Sequence, residues 1–292
     1  MLKATVFDDR VCRLGEGPSA TGENNDLISW VDIHGKKVLS HNLTTGESGE
    51  YHTTEHVGFA IPRAGGGAIL GTVSGPVLRD ADGTLHQLPS REDADGNIPR
   101  HRVRWNDGKV SPRGDLFLGT VPYEDVPNGG AFYQLRRDGQ HIRRLFGDVT
   151  CSNGLDWTVD GTRMFYIDTP LRRVDIFDVE DQDIKNRRTF INFPEEMGLP
   201  DGMSIDANNN LWVAFWLGSA VRCFDGTTGA QIDEITCPAP RITSIVFGGE
   251  KLDQIFITSA SEDTDLRQYP EAGMVFTASP GVQGQRTSHF PV

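Results

Sequence analysis

The chain has 292 residues and a formal charge of −13, from 28 basic and 41 acidic side chains, with 33 glycines and 16 prolines scattered along it. That balance excludes a nucleic-acid or anionic-membrane partner, which needs a basic footprint, and no run approaches the roughly 20 apolar residues of a membrane span. The length fits two small domains or one closed all-β unit, and dispersed turn residues favour the second, as a single domain over residues 1–292.

The N-terminus, Met1 to Arg10, has no apolar run of signal-peptide length, so a cytoplasmic protein is expected, monomeric or weakly homo-oligomeric. Cys12, Cys151, Cys223 and Cys237 form no C-x-x-C pair and read as scattered thiols. In chain order, six short segments read as strands: Leu27 to Asp32, Ala68 to Val73, Leu116 to Val121, Met164 to Asp168, Leu211 to Trp216 and Ile255 to Ala260. Their starts lie 41, 48, 48, 47 and 44 residues apart. Each follows a turn rich in Gly, Asn or Asp, such as Asp160-Gly161-Thr162, and most lead into a further strand and turn. A period of about 45–50 residues without helical register predicts an all-β, six-bladed β-propeller, one four-stranded blade per repeat. Closing the ring predicts that Thr5-Val6-Phe7 pairs with the last blade around Met274 to Phe276. Only Asp181 to Arg188 hints at a helical turn.

In a propeller the first strand of each blade lines the central channel, so the starts of those strands converge at one face. Stepping back 10 or 11 residues from each second strand reaches Glu16, Gly58, Asn106, Asn153, Asp201 and Ser244 (or Thr243). Carboxylates and amides aimed at one point are costly to bury unless something positive lies between them. A hard divalent cation meets that need, since Asp, Glu and Asn oxygens are its preferred ligands. Glu16, Asn153 and Asp201 are therefore the predicted metal ligands. Taken singly, each is better read as a turn residue at a strand end.

Arg13-Leu14-Gly15-Glu16-Gly17-Pro18, Asn106-Asp107-Gly108-Lys109-Val110, Ser152-Asn153-Gly154-Leu155, Leu199-Pro200-Asp201-Gly202 and Phe247-Gly248-Gly249 occur in that order. As a set they resemble the senescence-marker-protein/gluconolactonase/luciferin-regenerating-enzyme family. The resemblance implies a six-bladed propeller holding one divalent metal (Ca, or Zn, Mn, Mg or Fe in its place) on Glu16, Asn153 and Asp201. It also implies hydrolysis of a sugar lactone. By matching motif, Arg104 and Asn106 resemble the residues that contact substrate oxygens. Glu124 resembles a further substrate-side residue, although Val121-Pro122-Tyr123 departs from the small-residue-and-glutamate run of that motif. Asp201 is the expected general base, with a nucleophilic role open. The competing readings are a calcium-binding regulatory protein, a non-enzymatic scaffold and an organophosphate hydrolase.

Several other features carry weaker signals. His52-Thr53-Thr54-Glu55-His56 spells a metallopeptidase string, but its flanks read as strand and turn rather than the helix that chemistry needs. His34, His41, His86, His101, His141 and His289 read as surface or turn residues, with His101 near enough to Arg104 to reach the pocket. Asp93-Ala94-Asp95-Gly96-Asn97 reads as a turn between blades. Residues 122–130 form a loop longer than a hairpin needs, and are a candidate substrate lid. Trp216 reads either as a mouth residue or as blade packing.

Overall fold

The structure, a computed structural model, describes residues 2–96, 102–124, 126–181 and 183–292. Six antiparallel sheets form the blades of a β-propeller. The predicted segments are the second strands of these blades: Leu27–Asp32, Ala68–Thr72, Leu116–Pro122, Arg163–Asp168, Leu211–Trp216 and Gln254–Ser259. The strands before them, Gly15–Thr21, Val57–Pro62, Val103–Val110, Ser152–Trp157, Leu199–Ile205 and Ile242–Gly248, are the inner ones. These six pack against one another in succession around the axis.

Second strands are buried on both faces because each blade is sandwiched between two others, so they read as apolar runs rather than alternations. The core accordingly divides among the blade interfaces. Trp30, Ile28 and Phe256 pack between blades 6 and 1, Val31, Val57 and Leu70 between 1 and 2, and Phe59, Trp105 and Leu118 between 2 and 3. Phe117, Trp157 and Tyr166 fill the next interface, Phe165, Met203 and Phe215 the one after, and Trp212, Phe247 and Phe276 the last.

The N-terminal segment closes the ring as expected. Thr5–Asp8 is the outer strand of blade 6, with Val6 opposite Phe276. Leu2–Lys3 goes further and pairs in parallel with Gln231–Thr236, the outer strand of blade 5. One short segment thus ties two blades together.

Two sequence expectations are corrected. Asp181 to Arg188 is not a helical turn: Asp183–Asn192 is the outer strand of blade 4, and Asp181 at φ 46° forms the hairpin before it. Residues 93–95 belong to a helix, Arg91–Asp95, capped by the Ser90 side chain and by Asp93 reaching back to the Ser90 amide. Asp95 is buried and accepts a hydrogen bond from the Tyr133 hydroxyl at 2.9 Å. Asn97 and His101 lie outside the described residues. The four cysteines are free, Cys12, Cys223 and Cys237 being buried and Cys151 partly so. Among the described residues no helix is long and apolar enough to cross a membrane.

The tail after the last blade crosses one end of the channel. Gln285 Nε2 donates to the carbonyls of Trp157 (3.0 Å) and Ile205 (3.3 Å), on the inner strands of blades 4 and 5. Further on, Phe290 inserts fully buried between blades 2 and 3, where its amide and carbonyl bond Pro62 O (2.9 Å) and Ala64 N (2.8 Å). Beneath the tail lies a cavity of about 80 Å³ lined by Asp107, Lys109, Asp156, Ser204 and Ser244 among others. That space suits waters, not a sugar. The opposite end therefore remains as the way in.

Candidate functional site

All six inner strands carry a β-bulge near their beginning. The register shifts between Glu16 and Ser19, Val57 and Ala60, Trp105 and Gly108, Asn153 and Leu155, Pro200 and Met203, and Ile242 and Ser244. A bulge frees a residue from the ladder and re-aims its side chain. Asn106 and Asp201 are among the residues freed in this way, while Glu16 and Asn153 are the last paired residues before the shift in their strands. Glu16, Asn106, Asn153 and Asp201 are all buried, between 5% and 8% exposed.

In blade 6 the bulge frees Thr243, not Ser244, which lines the distal cavity instead. The Thr243 hydroxyl is turned away into the structure, hydrogen-bonded to Gly15 O at 2.6 Å and to the Thr258 hydroxyl at 2.8 Å. In blade 2 the position is Gly58, where a Cβ would meet Trp105 O at 2.3 Å and Asn106 O at 2.6 Å. Glycine is required because the neighbouring strand presses its backbone against it. Gly58→Ala is expected to lower stability by about 1–3 kcal/mol, by overpacking against carbonyls that cannot rotate away. Denaturant unfolding checks this, and an unchanged midpoint would contradict the close packing.

The carboxyls of Glu16 and Asp201 lie within hydrogen-bonding reach of each other. Burial first, then the mutual and Asp107 charges, push both pKa values up, with Arg104 opposing. Of the two, Asp201 is raised well above its ordinary value. The Gly17 amide donates to Glu16 Oε2 at 2.8 Å, while Asp201 Oδ1 is buried without a hydrogen-bond partner.

The amides beside this pair are oriented by their neighbours. Asn153 Nδ2 donates to the Thr169 hydroxyl (2.9 Å), which itself donates to Pro200 O (2.9 Å), leaving Asn153 Oδ1 toward the axis. Asn106 Nδ2 donates to Ser152 O at 2.7 Å and to Asn153 Oδ1 at 3.2 Å, and Asn106 Oδ1 accepts from the Arg104 guanidinium. The Cys151 thiol lies 3.7–3.8 Å from both amide nitrogens, and burial pushes its pKa up to about 12. Burial also lowers the Arg104 pKa, against the pull of Cys151, Tyr123, Glu16 and Asp201. Thr169 and Cys151 carry no signal for this site in the sequence, because their role depends on which blade they face.

This set fits a hard cation. It offers two carboxylates that repel when both ionise, an amide oxygen fixed in direction, and a buried carboxylate oxygen with no donor. Among the described residues no group of three or more His, Cys, Asp or Glu is placed to hold a metal. The ring depends on the Asn153 amide for its third donor.

Around the open mouth the structure departs from the sequence reading. Glu124 is exposed, and its neighbour Tyr123 is half-buried. The Tyr123 hydroxyl is 2.8 Å from His56 Nδ1, and its ring carries the Arg102 guanidinium at 4.7 Å. His34 and His56 are not isolated surface residues: their rings lie 5.0 Å apart, and His34 Nδ1 is 2.6 Å from Glu262 Oε2. The other members of the metallopeptidase string diverge, His52 being exposed on the outer strand of blade 1 and Glu55 binding the Ser74 amide at 2.8 Å. Trp216 is half-buried under the Arg241 guanidinium at 5.0 Å, at the junction of blades 5 and 6.

Comparison with known proteins adds a family to this geometry. Residues 14–261 match the SMP-30/Gluconolactonase/LRE-like region. A regucalcin of Danio rerio is 34% identical over 279 residues, covering 93% of this chain and 92% of its own. Among solved structures, a luciferin-regenerating enzyme superposes with a TM-score of 0.88 at 27% identity, over 99% of this chain and 100% of that one. A calcium-binding protein, regucalcin, of Agrobacterium tumefaciens has a TM-score of 0.91 at 24% identity, over 100% of this chain and 98% of that one.

Proposed function

The chain belongs to the SMP-30/gluconolactonase/LRE-like family, and from that premise we propose that it hydrolyses sugar (aldono-)lactones to the free acids with one bound divalent cation. The observation that carries the reading is the buried, unpartnered Oδ1 of Asp201 beside the carboxyl of Glu16. Glu16, Asn153 and Asp201 would hold the cation, calcium or a transition ion or magnesium in its place. When bound, such an ion polarises an ester carbonyl and lowers the pKa of water.

The remaining work falls to the side chains. Asp201 takes the proton from the attacking water, since a carboxylate at the floor of the mouth is the nearest base. Arg104 spends one N–H on Asn106, and its other donors would bind sugar hydroxyls or the developing oxyanion. Asn106 is held rigid by Ser152 and Asn153, so it would orient without moving. Tyr123, rather than Glu124, would close the side of the pocket.

The test is acid release from glucono-, xylono-, arabino- and galactonolactones, with and without chelator. Turnover lost on chelation and restored by a divalent ion supports the reading. Calcium binding with no hydrolysis of any lactone would instead support a regulatory protein, the role suggested by the name of its relatives.

A pH dependence follows from the carboxyl pair. Glu16 has an ordinary value of 4.5 and is raised to about 8 in the fold, so the folded state holds its proton more tightly than the unfolded chain. The stability that this group contributes to the metal-free protein is therefore fully present below pH 4.5 and is lost as pH rises toward 8. Cation binding reverses this, because it favours the ionised pair. Thermal melts with EDTA or calcium across about pH 5–9 should show a calcium-induced gain that grows with pH. A gain that shrinks with pH would contradict it.

A further inference from the structure

The interface between blades 1 and 2 is filled differently from the other five. Each of the others buries aromatic rings, whereas this one closes on Val31, Ile33, Val38, Val57, Ala60 and Leu70. Among the described residues, the outer strand of blade 2, Leu85–Gln87, is also the shortest of the six, three residues against four to ten. Small side chains and a truncated edge leave space that the other interfaces fill. Two cavities flank Tyr51 there, of about 510 and about 300 Å³.

Strand pairing builds one side of the larger cavity. Leu70 lies opposite Val77, and Leu85 opposite Arg79. Val77 and Arg79 are two apart on the strand Gly75–Arg79, so all four side chains stand on one face of blade 2. Tyr51, from the outer strand of blade 1, lines the same space, and the Arg79 guanidinium lies 4.0 Å from the centre of its ring.

Most polar groups around this space are engaged within the chain. Glu55 is taken up by the amide and hydroxyl of Ser74. The Thr72 hydroxyl donates to Gly75 O at 2.8 Å, the Thr53 hydroxyl to Glu55 O at 2.7 Å, and Gln87 Nε2 to Pro76 O at 3.2 Å. Arg79 is different. It gives one N–H to Asp80 O at 3.3 Å, while the Asp80 carboxylate is held by Arg63 and His86. Among the described residues no carboxylate pairs with Arg79. A half-buried guanidinium on an aromatic ring, with apolar side chains beside it, is complementary to a carboxylate carried on an apolar body. The larger cavity also has the volume of a small-molecule site.

We infer that the groove between blades 1 and 2 binds a small organic acid with an aryl or alkyl body, its carboxylate on Arg79 and its apolar part against Tyr51, Leu70, Val77 and Leu85. The groove shares no residue with the ring of Glu16, Asn106, Asn153 and Asp201, and the inference does not depend on the lactonase reading.

The experiment is calorimetric titration of the full chain, in calcium-containing buffer, with 4-phenylbutyrate, its neutral analogue 4-phenyl-1-butanol, and acetate. 4-Phenylbutyrate should bind with a Kd of about 1 mM or tighter, and about tenfold more tightly than either the alcohol or acetate. Arg79→Gln should weaken it about tenfold. Leu85→Glu, at a position 60% exposed where folding is not at stake, sets a negative charge beside Arg79 and should weaken it by a similar factor. If Arg79→Gln fails to fold, Leu85→Glu decides alone. Absence of binding at about 10 mM overturns the inference. Equal affinity for acid and alcohol does so too, since it leaves the guanidinium no part. An affinity unmoved by the variants would place the ligand elsewhere, at a bound calcium ion included, and would equally overturn it.

Discussion

Asp201→Asn is expected to lower lactone turnover by roughly 10²–10⁴-fold, the range for loss of a positioned general base, while leaving the propeller intact. The side chains have nearly the same shape, and Asp201 is 5% exposed, so the site keeps its packing. An amide also offers an N–H beside the Glu16 carboxyl, where a second negative charge would otherwise stand. It removes one of two like charges pushed upward by burial. The metal-free variant should thus melt higher than the metal-free parent above neutral pH, and its response to calcium should be weaker. Three measurements make the case together: kcat/KM, melting with EDTA, and melting with calcium. Near-normal turnover in Asp201→Asn would remove Asp201 as the base. Lost turnover with lowered metal-free stability would mean that the residue is structural.

Phe290→Ala addresses the other end of the channel. The ring is fully buried between blades 2 and 3, among Leu88, Tyr133 and Leu135. Truncating a buried phenylalanine costs about 3–5 kcal/mol through lost transfer energy and a residual cavity. In a chain of this size that is on the order of 10 °C in melting temperature. The loss should be largest at the tail, because Phe290 anchors it: the Ala64 amide, bonded to Phe290 O at 2.8 Å, should exchange faster, and protease should nick the tail first. Lactone hydrolysis at 25 °C should persist, since the tail closes the end remote from Glu16 and Asp201. A melting point within a degree or two of the parent would show that the tail is not an anchor. Loss of hydrolysis in a still-folded variant would show that the two ends of the channel are coupled.

The repeat, the blade number and the ring position were legible in the chain alone. Local patterns carry them: a turn, an apolar strand and a fixed step back to a polar residue recur whatever the blades do to one another. That is why Leu211–Trp216 coincided with its predicted bounds and why Glu16, Asn153 and Asp201 were picked out as one set. Convergence of these residues was an inference from topology, whereas the bulges beside them appear only as register shifts between paired strands. The rest of the site depended on contacts between distant segments. Tyr123 is held against His56 while Glu124 beside it stays exposed, and nothing in two adjacent residues says which will find a partner. His34 looked like a surface residue, since a histidine in a turn has no partner until another blade brings one, here His56. Thr169 holds the Asn153 amide from 16 positions away. A one-dimensional pattern records which face of a strand is buried; the direction of a side chain at a blade edge is decided only when its neighbours, far off in the chain, have packed against it.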